Sequence, residues 1–485
     1  MGPVSETPKE ACGVFAVRAP GQPVSHLTYL GLYALQHRGQ EAAGMAVTDG
    51  RGLTVVKDVG LVSNVFDDRT LAALPGDAAI GHTRYSTTGS STWSNAQPIY
   101  RDAAGHPFAL GHNGNLVNTE ALSEEAGLLV GVAGSDSDVV GELLDQAIAR
   151  QPADTDPATA LEQALMAVLP RLSGAFSFVL LDEHQVIGVR DPQGFRPLCL
   201  GRLPGGGWVL ASETPALDIV GATFVREVEP GELVVIDDTG VRSLRPFTEA
   251  PRPALCAFEY VYFARPDALL HGGSVHAARL RMGEALAVQH PVEADLVMGV
   301  PESALPAAEG YARASGIPYG HGLVKNRYIG RTFIAPSQEL RARAVRMKLN
   351  PLRDTIEGRR LVVVDDSIVR GTTTRAIVAM LREAGAAEVH LRISSPPYRW
   401  PCFYGMDTSQ REELLAANLS VDEIRAFVGA DTLAYLPLDA LLEATGADPG
   451  SFCTACLTGD YPVEVPVTWR EGATDDSVLE AVAGG

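Results

Sequence analysis

The sequence of 485 residues predicts two domains of the α/β (α+β) class in succession, because it is too long for one hydrophobic core. In the first half, short apolar segments alternate with polar residues and few helices interrupt them. This pattern is typical of stacked antiparallel sheets with helical covers. In the second half, β-branched runs without alternation are separated by helical segments. Those runs indicate a doubly wound parallel sheet that is buried on both faces.

The composition is that of a globular protein, with 46% hydrophobic and 20% charged residues. The net charge of −20 argues against a protein that binds nucleic acid. No window of about 18 uncharged apolar residues is present, and the N-terminus lacks the hydrophobic core of a signal peptide. We therefore expect a cytoplasmic protein that binds neither nucleic acid nor a membrane.

The first half predicts one early helix that closes on Gly39, two later helices and a series of short strands. The third helix has Asp156 as its N-cap and Pro157 at its first position. A proline-rich stretch at residues 245–258 indicates the boundary, so we predict domains over residues 12–245 and 246–485. The predicted strands are, in order, VFAV, AGMAVTD, GLTVVKDVG, AAIGHTRYST, PFALGHNGNLV, AFSFVLLDE, QVIGVRDP, GWVLASE and ELVVIDD.

In the second half, the stretch LVVVDDSIVRGTTT at residues 361–374 is the most informative. A buried strand ends in Asp365 and Asp366, and a loop with Gly371 then enters a helix through three threonines. Backbone N–H groups and hydroxyls at a helix N-terminus bind phosphate, and paired buried acids need hydroxyls or a hard cation. The pattern therefore predicts a ribose 5-phosphate site, although an ordinary loop with solvated acids stays open.

Cys12 begins the apolar run that predicts the first strand, after a leader, MGPVSETPKEA, without apolar periodicity. Free cysteine is often a small core residue, which is one interpretation. The other is a nucleophile that becomes a new N-terminus once residues 1–11 are removed. Of the six cysteines only Cys453 and Cys456 form a C-x-x-C pair. By spacing alone, the last four cysteines are compatible with a zinc site, an iron–sulfur site or buried inert thiols.

Seven motifs occur from residue 12 to about residue 461: ACGVFAV, LQHRGQEAAG, GHTRYSTTG, GHNGNL, SDSD, GVPES and GLVKNRYIGRTFI. The strand-end stretch resembles the ribosyl-pyrophosphate motif of type I phosphoribosyltransferases. With these motifs in this order, the chain resembles the glutamine phosphoribosylpyrophosphate amidotransferases. The resemblance implies a four-layer αββα glutaminase domain of the N-terminal nucleophile (Ntn) hydrolase type and a phosphoribosyltransferase domain. It also implies synthesis of 5-phosphoribosylamine, the first step of purine synthesis.

For the glutaminase half, the resemblance implies a propeptide at residues 1–11 and Cys12 as the nucleophile, activated by its own α-amino group. Asn113 and the backbone N–H of Gly114 would stabilise the oxyanion. Arg84 would bind the α-carboxylate of glutamine and Asp136 its ammonium group. Relatives often have an acidic residue before the cysteine, whereas this chain has Ala11, which bears on how efficiently the propeptide is removed.

For the transferase half, the resemblance implies a pyrophosphate loop at residues 299–303 and a lid that carries three basic residues. Ser303, Asp365 and Asp366 would lie near Mg²⁺, which needs few protein ligands. The residues implied in binding phosphoribosyl pyrophosphate are Glu302, Lys325, Arg327, Arg331, Asp365, Asp366, Gly371, Thr372 and Thr373.

An iron–sulfur subclass of the same family places its cluster ligands where Cys256, Cys402, Cys453 and Cys456 stand. The resemblance thus implies a [4Fe–4S] cluster with a structural role in the C-terminal segment, and Cys199 is expected to be a core residue. It also implies feedback inhibition by purine nucleotides and a homotetramer. Two alternatives stay open: another Ntn amidotransferase, such as a glucosamine-phosphate-forming enzyme, and a non-catalytic regulator with a ribosyl-pyrophosphate fold.

Overall fold

The computed structural model describes residues 12–85, 93–129, 134–152, 154–248, 252–326, 347–406, 408 and 410–466. The predicted propeptide, Arg327 and Arg331 lie outside these residues. The domain boundary at 245/246 stays a prediction, since residues 249–251 are also outside the described part of the chain.

The first half forms two sheets, with strand orders β11-β9-β10-β1-β4-β2-β3 and β13-β12-β8-β7-β6-β5. Both sheets are antiparallel, as the alternating pattern predicted. Their strands are β1 (Gly13–Arg18), β2 (Ala42–Thr48), β3 (Leu53–Val59), β4 (Ala78–Arg84), β5 (Ile99–Ala103), β6 (His106–Leu116), β7 (Gly174–Leu181), β8 (Val186–Arg190), β9 (Cys199–Arg202), β10 (Trp208–Ala211), β11 (Thr223–Glu227), β12 (Leu233–Asp237) and β13 (Gly240–Leu244).

Three hydrophobic cores show that these sheets form the two middle layers of four. Val14 and Ile80 of one sheet pack with Val179 and Val234 of the other in a core between them. Separate cores lie on the two outer faces, each beneath helices. This is the predicted αββα arrangement. The helices of this half are Val24–Ala34, Val62–Val65, Asp68–Ala72, Thr119–Glu125, Asp136–Ala149, Pro157–Val168 and Thr214–Ile219, with short 3₁₀ turns at Trp93–Asn95 and Leu169–Arg171.

The second half contains a parallel four-stranded sheet of order β17-β20-β21-β22, with separate cores on its two faces. Helices cover both faces, which confirms the doubly wound prediction. Its strands are β17 (Leu296–Gly299), β20 (Arg360–Asp365), β21 (Glu388–Ile393) and β22 (Thr432–Tyr435), and the short strands outside it are β14 (Leu255–Cys256), β15 (Leu269–Leu270), β16 (Gly273–Ser274), β18 (Leu323–Lys325), β19 (Leu349–Pro351) and β23 (Phe452–Cys453). The helical segments are Glu259–Phe263 (a π-turn), Val275–Gln289, Leu305–Ser315, Arg353–Ile356, Thr372–Glu383, Arg411–Glu413 (3₁₀), Leu415–Asn418, Val421–Val428, Leu438–Thr445, Pro449–Ser451 (3₁₀) and Ala455–Thr458.

One predicted helix boundary is wrong. The first helix ends at Ala34 rather than at Gly39. Residues 35–38 turn back towards β4, and Gly39 lies so close to it that a Cβ atom there would come within 2.6 Å of the Thr83 carbonyl. This turn buries Arg38 in the interior, with 1% of its surface exposed. Among the described residues, no helix is long and apolar enough to cross a membrane.

Candidate active sites

Cys12 lies immediately before β1, where the antiparallel pairing of β1 with β4 brings the end of β4 alongside it. Its thiol is within 3.4 Å of the Tyr85 backbone nitrogen and 3.5 Å of the Tyr85 oxygen. Arg84, the last residue of β4, is 4% exposed, and Cys12 is 8% exposed. The register of two neighbouring strands therefore places the predicted nucleophile and the predicted carboxylate-binding arginine at one sheet edge.

Burial raises the pKa of the Cys12 thiol above its ordinary value. The Tyr85 backbone and the charge of Arg84 oppose this rise, whereas the charge of Asp136 adds to it. The thiol is therefore protonated near neutral pH and needs a base before it can attack. The interaction with both Arg84 and Asp136 shows that the three predicted glutamine-site residues lie in one region.

Asn113 and Gly114 lie in β6 of the second sheet, opposite Ser177 and Phe176 of β7. Asn113 is fully buried, and neither its side-chain oxygen nor its nitrogen has a hydrogen-bond partner among the described residues. A buried amide without hydrogen-bond partners costs free energy unless a ligand supplies them. Gly114 has a φ of +152°, and a Cβ atom there would lie 2.0 Å from the Ala175 oxygen. This position therefore requires glycine.

Asp136 is the first residue of the helix Asp136–Ala149, which positions its carboxylate next to β6. Its oxygens accept hydrogen bonds from the backbone N–H groups of Leu116 (3.1 Å) and Ser137 (2.7 Å). His112 Nδ1 lies 3.5 Å from the carboxylate. Burial acts against ionisation, but His112 and the N–H donors outweigh it, so the pKa of Asp136 is lowered. Asp136 is therefore ionised and suits an ammonium group.

The carboxyl ends of β17 and β20 meet in the parallel sheet, where Gly299 pairs with Val364. Asp365 ends β20, and Asp366 accepts hydrogen bonds from Ser303 Oγ (2.5 Å) and Ser367 Oγ (2.6 Å). Burial and, for Asp365, the neighbouring charge of Asp366 raise the pKa of these carboxyls. Two buried acids with raised pKa values provide a place for a cation or for sugar hydroxyls.

The loop after these aspartates leads into the helix Thr372–Glu383. Gly371 precedes the helix with a φ of +75°, and a Cβ atom there would come within 2.5 Å of the Leu415 side chain. Thr372 and Thr373 form the first turn. The buried hydroxyl of Thr372 has no hydrogen-bond partner among the described residues. A hydroxyl beside the N–H groups of a helix N-terminus is what a phosphate needs.

Glu302 and Lys325 approach this edge from two different segments. Glu302 lies in the loop after β17, and Lys325 ends β18. Lys325 Nζ is 3.3 Å from a carboxylate oxygen of Glu302, and both side chains are largely exposed. Such a pair is weak and can separate when an anionic ligand attracts the lysine.

The four predicted cluster cysteines come from three segments of the second half. Cys256 and Cys453 pair in register in the parallel strands β14 and β23. Burial raises the pKa of Cys456, and the charges of Cys402 and Cys256 raise it further. The charges of these thiols therefore interact. No cysteine is in a disulfide among the described residues. In the same part of the chain, no three His, Cys, Asp or Glu side chains are arranged to hold one metal ion.

The sequence did not predict the buried charges beside Cys12, of which Arg38 and Glu259 are the central pair. The motif LQHRGQ contains Arg38, but nothing in a single sequence distinguishes a buried arginine from a surface one. Its guanidinium donates to the carbonyl oxygen of Cys12 at 3.2 Å. Cys199, in contrast, is a buried core residue of β9, as expected.

Both halves of the chain are similar to known proteins. A glutamine amidotransferase domain model matches residues 82–219, and a phosphoribosyl transferase domain model matches residues 277–394. The chain is 56% identical over 487 residues to the amidophosphoribosyltransferase of Mycobacterium tuberculosis, with 98% of this chain and 90% of that protein covered. The chain belongs to the amidophosphoribosyltransferase family. The family member from Bacillus subtilis is 48% identical over 462 residues, which cover 94% of this chain and 95% of that protein.

Solved structures support the same family assignment. The structure of the allosteric regulatory enzyme of purine biosynthesis is similar with a TM-score of 0.86 and 48% identity, covering 94% of this chain and 97% of that chain. The glutamine phosphoribosylpyrophosphate amidotransferase from B. subtilis, complexed with ADP and GMP, also has a TM-score of 0.86, with 47% identity over 94% of this chain and 98% of that chain. The amidophosphoribosyltransferase fold therefore extends over nearly the whole molecule.

Proposed function

We propose that this enzyme hydrolyses glutamine at Cys12 and uses the ammonia to displace pyrophosphate from 5-phosphoribosyl 1-pyrophosphate. The products are glutamate, 5-phosphoribosylamine and pyrophosphate, and the reaction is the first step of de novo purine (IMP) biosynthesis. One observation carries this conclusion: among the described residues, the first half combines a buried cysteine with a buried amide that has no hydrogen-bond partner, and the second half combines a buried aspartate pair with a buried hydroxyl that has none. The amide suits the oxyanion that forms from glutamine, and the hydroxyl suits the phosphate of the ribose substrate.

In the glutaminase reaction, the thiol of Cys12 loses its proton to the α-amino group of the same residue, once residues 1–11 are removed. The sulfur attacks the side-chain carbonyl carbon of glutamine, and the Asn113 amide and the Gly114 N–H stabilise the oxyanion. The C–N bond then breaks, and the leaving nitrogen takes the proton and departs as ammonia. Water hydrolyses the remaining thioester to glutamate and restores the thiol.

In the transferase reaction, the nitrogen of ammonia forms a bond to ribose carbon 1 while the bond from that carbon to pyrophosphate breaks, and the new ammonium group gives one proton to water. The N-terminus of the helix Thr372–Glu383 binds the 5-phosphate, and one or both aspartates bind the ribose hydroxyls. Arg327 and Arg331 join Lys325 in binding pyrophosphate. Ser303, Asp365 and Asp366 suit Mg²⁺, because oxygen ligands from few residues are what this ion takes beside phosphates and water. Bound Mg²⁺ would neutralise charge on the pyrophosphate.

The test of this function is whether glutamine, and free ammonia in its place, each support release of pyrophosphate. A wild-type chain that released glutamate but no pyrophosphate would be another kind of amidotransferase, and one that did neither would be a regulator. The match to family members over nearly the full chain argues against both alternatives.

We also propose that Cys256, Cys402, Cys453 and Cys456 hold a [4Fe–4S] cluster with a structural role. The support is that three segments bring these thiols close enough for their charges to interact, beside the buried guanidinium of Arg196. A single zinc ion would need all four sulfurs at about 2.3 Å from one point. A four-iron group is wider and fits a more open set of thiols.

The cluster proposal is tested by replacing Cys402 with serine, and Cys199 with serine as a control that removes a buried thiol elsewhere. Purified without oxygen, the wild type and the Cys199→Ser variant should contain about four irons per chain and show a broad brown absorbance. The Cys402→Ser variant should be colourless and less stable. Zinc in place of iron, or equal iron in all three proteins, would refute the cluster.

Regulation and assembly are also proposals. The B. subtilis structure with ADP and GMP supports nucleotide binding in this family, and we propose that purine nucleotides inhibit this enzyme as well. We further propose that it is a homotetramer in the cytoplasm.

A further inference from the structure

A buried ionic network connects Cys12 to the segment that follows Cys402, and Glu259 is its centre. Glu259 is fully buried in the π-turn Glu259–Phe263, directly after β14. It accepts two hydrogen bonds from the guanidinium of Arg38, at 2.7 and 2.9 Å. It also accepts one from Arg196 Nη1 at 3.2 Å. One carboxylate from the second half of the chain therefore holds two arginines of the first half.

On one side of this centre, Arg38 reaches the nucleophile. Its Nε donates to the Cys12 carbonyl oxygen at 3.2 Å, and its Nη1 also donates to Glu213 at 2.6 Å. Burial opposes the charge of Arg38, but the two carboxylates outweigh it and raise the pKa of the guanidinium. Because the guanidinium is planar, the two carboxylates fix the direction in which Nε points. The backbone of Cys12 is thus positioned by a group that Glu259 orients.

On the other side, Arg196 reaches the backbone next to the predicted oxyanion site. Its Nε and Nη2 donate to the Tyr404 carbonyl oxygen at 3.2 and 2.9 Å. A Cβ atom on Gly405 would lie 3.1 Å from Arg196 Nη2 and 3.4 Å from the carbonyl carbon of Gly114. Residues 403–405 therefore pack directly against the strand that carries Gly114.

A third hydrogen bond, from another residue, holds this packing in place. Asn115 Nδ2 donates to the Phe403 carbonyl oxygen at 2.9 Å. The segment beside Gly114 is thus bound both by Arg196 and by β6 itself. A shift in the segment would be transmitted to the oxyanion donors, whose distance to the reacting oxygen decides how well they work.

We propose that Glu259 is a positioning residue for glutamine hydrolysis, although it belongs to the half of the chain that carries the transferase site. Glu259 orients Arg38, which donates a hydrogen bond to the Cys12 carbonyl oxygen. It also orients Arg196, which donates to residues 403–405 beside Gly114. This inference rests on the proposed function of Cys12, and it adds a residue that the sequence motifs did not indicate. It also means that a buried contact between the two halves of the enzyme sets the geometry of the first reaction.

The direct test is Glu259→Gln, which keeps the size and one oxygen acceptor but removes the charge that the two arginines share. We expect kcat with glutamine to fall about tenfold or more, with KM for glutamine changed less than about threefold. Synthesis from free ammonia and KM for phosphoribosyl pyrophosphate should stay within about twofold of wild type. A merely structural role would lower both activities together.

Removing one partner of a buried ion pair can prevent folding, so a second variant is needed. Gly405→Ala leaves every charge in place but introduces a methyl group against Arg196 and Gly114, at a φ of +106°. It should also lower the ratio of glutamine-dependent to ammonia-dependent synthesis. The control is Tyr461→Phe, which removes a hydrogen bond to the Pro401 oxygen (2.7 Å), shortly before residues 403–405. This variant should keep the wild-type ratio.

The ratio of glutamine-dependent to ammonia-dependent synthesis distinguishes the possible outcomes. An unchanged ratio in both Glu259→Gln and Gly405→Ala, or equal loss of both activities, would overturn the proposal. If Glu259→Gln does not fold, the ratio in Gly405→Ala decides. A wild-type protein without any glutamine-dependent synthesis would instead contradict the proposed function of Cys12.

Discussion

Replacing Cys12 with alanine should abolish glutamine-dependent synthesis of 5-phosphoribosylamine, by at least about a thousandfold, while synthesis from free ammonia persists. The thiol is the group proposed to form the covalent bond with glutamine, and an alanine side chain has no atom that can form it. The transferase site depends on Asp365, Asp366 and the helix that begins at Thr372, none of which contacts this cysteine. The measurement is the initial rate of pyrophosphate release with each nitrogen source.

The matched control for this prediction is Cys199→Ala, which removes a different buried thiol in the same half of the chain. Cys199 lies in β9, where its thiol donates to the Ala211 carbonyl oxygen at 3.2 Å. This variant should retain both activities, apart from a loss of stability from the smaller side chain. Equal loss of both activities in Cys12→Ala would contradict the division of labour between the two halves.

The second large effect is expected at the aspartate pair. Asp365→Asn or Asp366→Asn should raise KM for phosphoribosyl pyrophosphate about tenfold or more, because each removes a charge that binds the diol or Mg²⁺. Unlike Cys12→Ala, these variants should impair synthesis from glutamine and from ammonia to the same extent. Initial rates at limiting phosphoribosyl pyrophosphate measure this effect.

The pH dependence of the same site has a defined sign. Burial raises the pKa of both aspartates, and the charge of Asp366 raises that of Asp365 further, so protonation begins at a higher pH than for an isolated aspartate. Affinity for the magnesium complex of phosphoribosyl pyrophosphate should therefore fall as the pH falls through these raised values.

A control for the aspartate variants is Asp295→Asn, which makes the same change at the opposite, amino end of the parallel sheet. Asp295 is paired with Arg360 at 2.9 Å and is exposed. Its replacement should leave KM unchanged, since exposed pairs contribute little. Full activity of both pair variants at limiting substrate would show that the strand end is not the binding site.

Local patterns predicted much of this fold. The helix Pro157–Val168 begins where Asp156 was expected to cap it, and the Asp156 carboxylate accepts a hydrogen bond from the Thr159 N–H. The strand before Asp365 and the helix after Gly371 also lie where the apolar run and the glycine indicated. These features depend on residues that are adjacent in the sequence, so a single sequence is enough to predict them.

Other elements could not be predicted from local pattern. β9 has four residues and β11 is largely exposed, so neither has a clear apolar signature. The composition of the first helix stays helical up to Gly39 and so predicts an end there, whereas packing against β4 ends the helix at Ala34.

The ionic network lies beyond such prediction for the same reason. Arg38 and Glu259 meet across 221 residues of sequence, and each looks like an ordinary surface charge until the two halves are folded together. The family motifs indicate site residues more readily, because the residues of each motif lie close together in the sequence.

The central claim is that one chain couples glutamine hydrolysis to the transfer of its nitrogen. The measurement is the amount of glutamate and of pyrophosphate released by wild-type enzyme purified without oxygen, with glutamine and phosphoribosyl pyrophosphate both present. The account predicts equal amounts of the two products, with pyrophosphate release lost when glutamine and ammonia are both withheld. Glutamate release without pyrophosphate, or pyrophosphate release that does not depend on a nitrogen source, would contradict it.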